Sequence, residues 1–172
     1  MSDTVGQRKM ENERLAQYVV NTCAPSDLSG SELAACLAII KAGDAVAVES
    51  EKLRRAKLLA VARRGNEIVG VGSVKRERIK YASDIAKKSG FPFPVQTLEL
   101  GYVAVDHQHR RKDLSHRLVA ALLAVEQGGL FATTYDKHMK KTLTAAGFAQ
   151  KGEEWHGQKD RVSLWIKTEA TE

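Results

Sequence analysis

Apolar positions fall along this chain in two rhythms, and their alternation predicts its elements. In LELGYVAV, residues 98–105, they form a nearly continuous run, the pattern of a buried strand. After it Leu114, Leu118, Leu122 and Val125 recur at helical spacing, until Gly128 and Gly129 end the helix. GLFATTY (129–135) predicts a further strand, DKHMKKTLTAAGF (136–148) a helix closed by Gly147, and RVSLWIK (161–167) a final strand. Upstream, two β-rich runs at 58–63 and 68–75 flank Arg64-Gly65-Asn66-Glu67, the clearest hairpin in the sequence.

The first third of the chain is less regular. Residues 1–12 are polar and unpatterned and are expected to fray. Residues 14–23 carry Leu15, Tyr18, Val19 and Val20, which suit a first strand, with a helix as the alternative. Ser31 is taken as the N-cap of a helix through Leu33, Cys36, Leu37 and Ile40 that Gly43 closes, and a second helix is expected across 45–56. Residues 78–94 predict a short helix and then an extended piece, because residues before Pro92 and Pro94 are pushed toward extended geometry. The resulting order is an α/β layout with a mixed sheet. We expect a flexible N-terminus over 1–12, one domain over 13–168 and a tail over 169–172.

Composition narrows the class only a little. A chain of 172 residues with 43% hydrophobic and 28% charged residues suits one globular domain. There is no apolar run of membrane-spanning length, MSDTVGQRKMENE lacks a signal-peptide core, and Cys23 and Cys36 make no disulfide framework. A cytoplasmic protein without a membrane partner is therefore expected. The net charge of +6 favours anionic partners. Nucleic acid is one such partner: HRRKDLSHRL (109–118), RRAK (54–57) and KRERIK (75–80) are basic. Aromatic residues make up only 6%, too few for a base-stacking platform, so it is not the favoured partner. His107, His109 and His116 lie among arginines and lack a cysteine or a clear third ligand, so no metal is expected.

The chemistry concentrates in one strand–loop–helix unit. The strand ending at Val105 feeds a loop holding Arg110, Arg111 and Lys112, and a helix begins near Asp113. Helix starts present free N–H groups and partial positive charge, so they receive phosphates, and three consecutive cations strengthen the site.

On these residues, the span 57–167 resembles the GNAT superfamily of N-acetyltransferases. Its signature is a strand, then Q/R-x-x-G-x-G/A, then a helix, matched here by Arg110-Arg111-Lys112-Asp113-Leu114-Ser115. The Ala145-Ala146-Gly147-Phe148 helix end and the strand after it resemble the family's closing half. The resemblance implies a GNAT-like mixed, mostly antiparallel sheet with helices on both faces. It also implies acetyl-CoA as co-substrate and direct acetyl transfer to a small or macromolecular amine acceptor. Arg110, Arg111, Lys112, Asp113, Leu114 and Ser115 would hold the CoA pyrophosphate. The strand before them would bulge and splay, giving backbone groups of Val103 and Val105 to the pantetheine arm. Glu99, eleven residues before Arg110, stands where some members carry a general base. Simple alternation would put Glu99, Gly101 and Val103 on one strand face.

The sequence departs from the family pattern at three places. Asp113 and Ser115 replace the loop glycines, and Asp113 is also a natural N-cap that would occupy N–H groups a phosphate needs. Leu143 stands where many relatives carry a tyrosine acid, which leaves Tyr135 as its substitute and His138 as another option. The basic insert 78–94, with Phe91 and Phe93, would shape the acceptor site. A homodimer through sheet edges is open, as is a GNAT-fold binding domain without catalysis.

Overall fold

The computed structural model describes residues 3–43, 50–110 and 113–169, and the side chains of 4–10, 17–43, 50–110 and 113–169. In chain order the elements are α1 (Asp3–Ala16), β1 (Tyr18–Cys23), α2 (Gly30–Ala42), α3 (Ser50–Arg54), β2 (Leu58–Arg64), β3 (Glu67–Lys75), α4 (Ile79–Ser89) and β4 (Leu98–Val105). They are followed by α5 (Leu114–Val125), β5 (Leu130–Thr134), α6 (Lys137–Ala145), β6 (Ala149–His156) and β7 (Arg161–Lys167). The strands form one seven-stranded sheet in the order β1-β2-β3-β4-β5-β7-β6. Every neighbouring pair is antiparallel except β4 and β5.

Strand alternation sends side chains to two cores. Ala60, Ala62, Val74, Leu100, Leu130, Ala132 and Trp165 meet Leu114, Leu118, Val119 and Leu122 of α5 and Leu143 of α6 on one face. On the other face Leu59, Val61 and Val71 meet Leu33, Cys36, Ile39 and Ile40 of α2, while Phe131 and Leu164 meet Ala82 and Ile85 of α4. Helices thus cover both faces of a mostly antiparallel sheet, as the family resemblance implies. Between the α2 and α4 patches lies the stretch of β3 and β4 that carries Ser73, Lys75 and Glu99.

Three expectations are revised, and one strand is added that the sequence did not predict. Residues 3–12, expected to fray, belong to α1, which runs up to β1. Helix α2 is capped by Ser29 rather than Ser31: Ser29 Oγ accepts from Glu32 N and Glu32 Oε1 accepts from Ser29 N, a reciprocal box that fixes the start two residues earlier. Of the helix expected across 45–56, α3 covers Ser50–Arg54, and residues 45–49 lie outside the described residues. Strand β6 was not legible, because its side chains are almost all exposed and AQKGEEWH carries no apolar alternation.

Candidate functional site

Strands β4 and β5 pair at two positions only, Leu98 with Leu130 and Glu99 with Phe131, and then part. On its other edge β4 keeps to β3, with a bulge. Val71 faces Ala104 and Ser73 faces Gly101, so Tyr102 and Val103 share the single position opposite Gly72. Tyr102 takes φ 49°, a left-handed backbone that a bulky residue adopts only under constraint. Ser73 Oγ donates to the Gly101 carbonyl at 2.7 Å, satisfying an oxygen beside the interrupted ladder.

The bulge overturns the simple alternation. Val103 joins Leu98, Leu100 and Val105 on the α5 face, while Tyr102 and Ala104 pack toward α2. Among the described residues no strand pairs with the β5-facing edge of β4 over 101–105. That edge offers backbone N–H and C=O groups to an extended ligand with amides of its own.

The loop after β4 is tied down by side chains rather than shaped by glycine. Asp106 accepts from Gln108 N at 2.9 Å, capping a single 3-10 turn, His107–His109. His109 is buried, with Nδ1 2.7 Å from Tyr18 Oη, and Arg117 donates to the Tyr18 carbonyl at 2.9 Å, so β1 anchors both sides of the loop. Arg110 Nε makes a long contact of 3.4 Å with the Val105 carbonyl. Arg111 and Lys112 lie outside the described residues.

Asp113 occupies the N-cap position of α5 in a left-handed conformation, φ 57°, and its side chain makes no capping hydrogen bond. Its carboxylate instead pairs with His116 Nε2 at 3.5 Å. The first N–H groups of α5 therefore receive nothing from the aspartate, and they point out from a helix N-terminus. Leu114 is fully buried, so it offers the site its backbone alone. Ser115 Oγ lies 3.4 Å from His138 Nε2, which brings the start of α6 beside that of α5. Asp136 caps α6 by accepting from His138 N at 3.1 Å.

On the opposite face of β4, Glu99 is 5% exposed and is the Cα partner of Lys75. Lys75 Nζ stands 2.8 Å from Glu99 Oε1, and Arg78 reaches the same oxygen at 3.9 Å. The Lys75 contact is short but off the hydrogen-bonding direction, leaving Oε1 without an aligned donor. Lys75 Nζ also lies 3.9 Å from the centroid of the Tyr102 ring, and the Arg78 guanidinium 4.4 Å from that of Tyr81. Tyr81 Oη is 3.4 Å from Thr133 Oγ1 on β5. Burial, with the Glu99 charge adding to it, pushes the Tyr81 phenol above its usual range, so it stays protonated. Arg78, Ile79, Lys80, Tyr81 and Asp84 line a shallow depression beside this group.

Sequence reasoning named Glu99 as a candidate but not Lys75, Arg78, Tyr81 and Tyr102, which the structure gathers beside it. The signal for Lys75 was its place at the end of the predicted hairpin, which becomes a cross-strand partner once β3 pairs with β4. Tyr135 follows β5 at the end where β4 and β5 have parted, and is 41% exposed. Leu143 is fully buried against the α5-side core, so the position that the resemblance linked to a tyrosine acid packs here as a hydrophobe. The Phe93 ring packs tilted against Phe131, centroids 4.9 Å apart, and Phe91 packs on the same patch, so the 78–94 insert is pinned to the sheet.

The bulged β4, its parting from β5 and the loop–helix that follows are the fold of the GNAT acetyltransferases, and this chain has that fold. It is similar over 87% of its length, and 97% of the other chain, to Arabidopsis thaliana NAA60 crystallised with acetyl-CoA, at TM-score 0.64 and 13% identity. A GNAT-family acetyltransferase from Streptococcus agalactiae gives TM-score 0.66 at 11% identity, covering 88% of this chain and 96% of that one. An acyl-CoA N-acyltransferase from Pseudomonas aeruginosa gives TM-score 0.59 at 16% identity, covering 88% and 99%. No family model matches the sequence, and no curated protein matches it. No helix among the described residues is long and apolar enough to cross a membrane.

Proposed function

We propose that this protein is an N-acetyltransferase that moves an acetyl group from acetyl-CoA to an amine. One observation carries the reading: the open edge of β4 at its Tyr102–Val103 bulge leads directly to the uncapped start of α5. Acetyl-CoA supplies an activated thioester at the end of an amide-bearing arm and a pyrophosphate. Backbone groups of Val103 and Val105 hold the arm. The N–H groups of Leu114 and Ser115, the Ser115 hydroxyl and the side chains of Arg110, Arg111 and Lys112 hold the pyrophosphate. The residues fit this ligand without glycine, because Asp113 supplies the left-handed turn and turns its carboxylate to His116.

In this reading Glu99 takes the proton of the acceptor ammonium, directly or through a water. Tyr135 gives a proton to the departing thiolate, a role supported by its exposure beyond the end of β5. The acceptor is an amine, small or macromolecular, entering from the α4 side where Arg78 and Tyr81 border the depression. A second reading, a GNAT-fold protein that binds acetyl-CoA without transferring its acetyl group, draws on the engagement of Glu99 by two cations and on the buried Leu143.

Calorimetric titration with acetyl-CoA, beside an R110A/R111A variant, tests the reading. Saturable binding that the variant loses by more than about tenfold, roughly 1.4 kcal/mol, is expected. Absence of heat from folded protein overturns it. Thiol release across a panel of amines then separates transfer from binding alone.

A further inference from the structure

Lys75 brings a primary amine of the chain itself to the bulge of β4. It ends β3, its side chain is 16% exposed, and its Nζ rests between the Glu99 carboxylate at 2.8 Å and the face of Tyr102 at 3.9 Å. The aliphatic chain reaches there by crossing Gly101, where a Cβ would come within 2.6 Å of Lys75 Cε. A bare backbone at 101 thus keeps the path open. A carboxylate on one side and an aromatic face on the other are the surroundings that would hold an amine next to its proton acceptor. Tyr102 is the bulge residue, so this amine is one side chain away from the backbone edge assigned to the acyl-CoA arm.

We propose that Lys75 is an acetylation site of the chain's own making: with an acyl-CoA thioester in the opening between β4 and β5, Lys75 Nζ accepts the acyl group. The proposal rests on the reading of that opening as the acyl-CoA site. The proton leaves Lys75 Nζ for Glu99 Oε1, and the freed lone pair forms the N–C bond to the thioester carbonyl carbon. The C–S bond then breaks, the thiolate departs with its electron pair, and the nitrogen sheds a second proton as it becomes the amide. One of the two protons is taken up by the thiolate and the other passes to water, leaving Glu99 ionised. Ammonium and thioester become amide, thiol and one released proton, with nothing oxidised or reduced. The amide is neutral, so Glu99 loses its nearest cation and keeps Arg78 at 3.9 Å. Its carboxylate is then open to an incoming amine.

Accessibility makes the proposal sharp. Uncatalysed acetylation by a thioester favours exposed amines such as Lys52, Lys80 and Lys87, and Lys75 is shielded by comparison. The test incubates the full chain with acetyl-CoA and no added amine, follows intact mass, and maps the modified peptides over time. Calorimetry on the same preparation reports binding. The expected result is Lys75 modified ahead of the exposed lysines, with a half-time independent of protein concentration. Glu99→Gln slows it at least about tenfold, and Lys75→Arg abolishes that peptide's modification. Desulfo-CoA, which fills the site without a thioester, suppresses Lys75 acetylation and spares the exposed lysines, a readout that stands even if Glu99→Gln fails to fold. Binding with Lys75 unmodified, or modified after the exposed lysines, overturns this proposal and leaves the proposed function intact. Absence of binding overturns both.

Discussion

Asp113 carries a left-handed backbone that glycine would adopt without steric cost, and its side chain does no capping in return. Asp113→Gly removes about 1–2 kcal/mol of local strain but loosens the unfolded chain by roughly 0.5–1 kcal/mol. The expected outcome is a stabilisation of about 0–1.5 kcal/mol, read as a higher melting temperature. Removing a carboxylate from the start of α5, where the proposed function seats the pyrophosphate, should also tighten acetyl-CoA binding in calorimetry. A lower melting temperature would show that the Asp113–His116 contact outweighs the strain. The Lys75–Glu99 pair gives a second prediction at this scale, because its side chains are 16% and 6% exposed. Lys75→Met and Glu99→Gln should each cost about 3 kcal/mol in urea denaturation, since each leaves a shielded charge without its partner. The double variant should cost less than the sum. Glu99 could be picked out from the sequence as a charge in an apolar strand, but its partner could not. Register, not proximity in the chain, brings residue 75 to residue 99.

Elements are held by local signals of unequal legibility. The Ser29–Glu32 box was present in the sequence as Ser-x-x-Glu, and the backbone N–H of Ser29, with Arg63 adding to it, holds the Glu32 carboxyl below its usual range. Ser29→Ala should destabilise the protein by about 1 kcal/mol, measured by thermal or chemical denaturation, while Ser31→Ala, lying inside the helix, should not. Strand β6 shows the opposite case. Its polar residues gave no periodic signal, yet it pairs with β7 over Ala149–Lys151 and Trp155–His156, on either side of an irregularity between Lys151 and Trp155. Gly152, φ 69°, sits there with its Cα against the Ser89 carbonyl, so any Cβ would collide with backbone. Gly152→Ala combines left-handed strain with that collision and should cost about 3 kcal/mol, read as a lower denaturation midpoint.

At the scale of the whole molecule, α2 seals one face of the sheet and Cys36 lies fully buried within that seal. Burial, with Cys23 nearby adding to it, pushes the Cys36 thiol up to about 11 from the ordinary 9.0. The folded state therefore keeps a proton that the unfolded chain releases. The contribution is fully present below pH 9 and is lost as pH rises through about 11. It amounts to about 2–3 kcal/mol. Denaturation followed across that window should show wild type losing more stability than Cys36→Ala, whose own lower baseline comes from the smaller side chain. Equal slopes would mean that α2 opens before the thiol ionises.

The resemblance to the GNAT fold implied helices on both faces of the sheet; the sequence by itself determined the elements from β2 onward except β6, the mixed sheet, and the strand–loop–helix unit around Arg110 and Ser115. These follow from side-chain periodicity and from Gly and Pro, which act within a few residues of where they stand. With the family resemblance it also offered Glu99 and Tyr135 as candidates, since a charge within an apolar run and a changed residue at a fixed offset are local facts. The tertiary structure alone decided the bulge at Tyr102, which reverses the faces of Val103 and Ala104, and the parting of β4 from β5 after Glu99. Whether Asp113 caps α5 was likewise settled by packing, through His116. So was the meeting of Lys75, Arg78, Tyr81 and Tyr102 around one carboxylate. Pairing between distant strands sets these positions, and the energy of a strand edge left open or a residue held left-handed belongs to the assembled sheet rather than to any stretch of the chain.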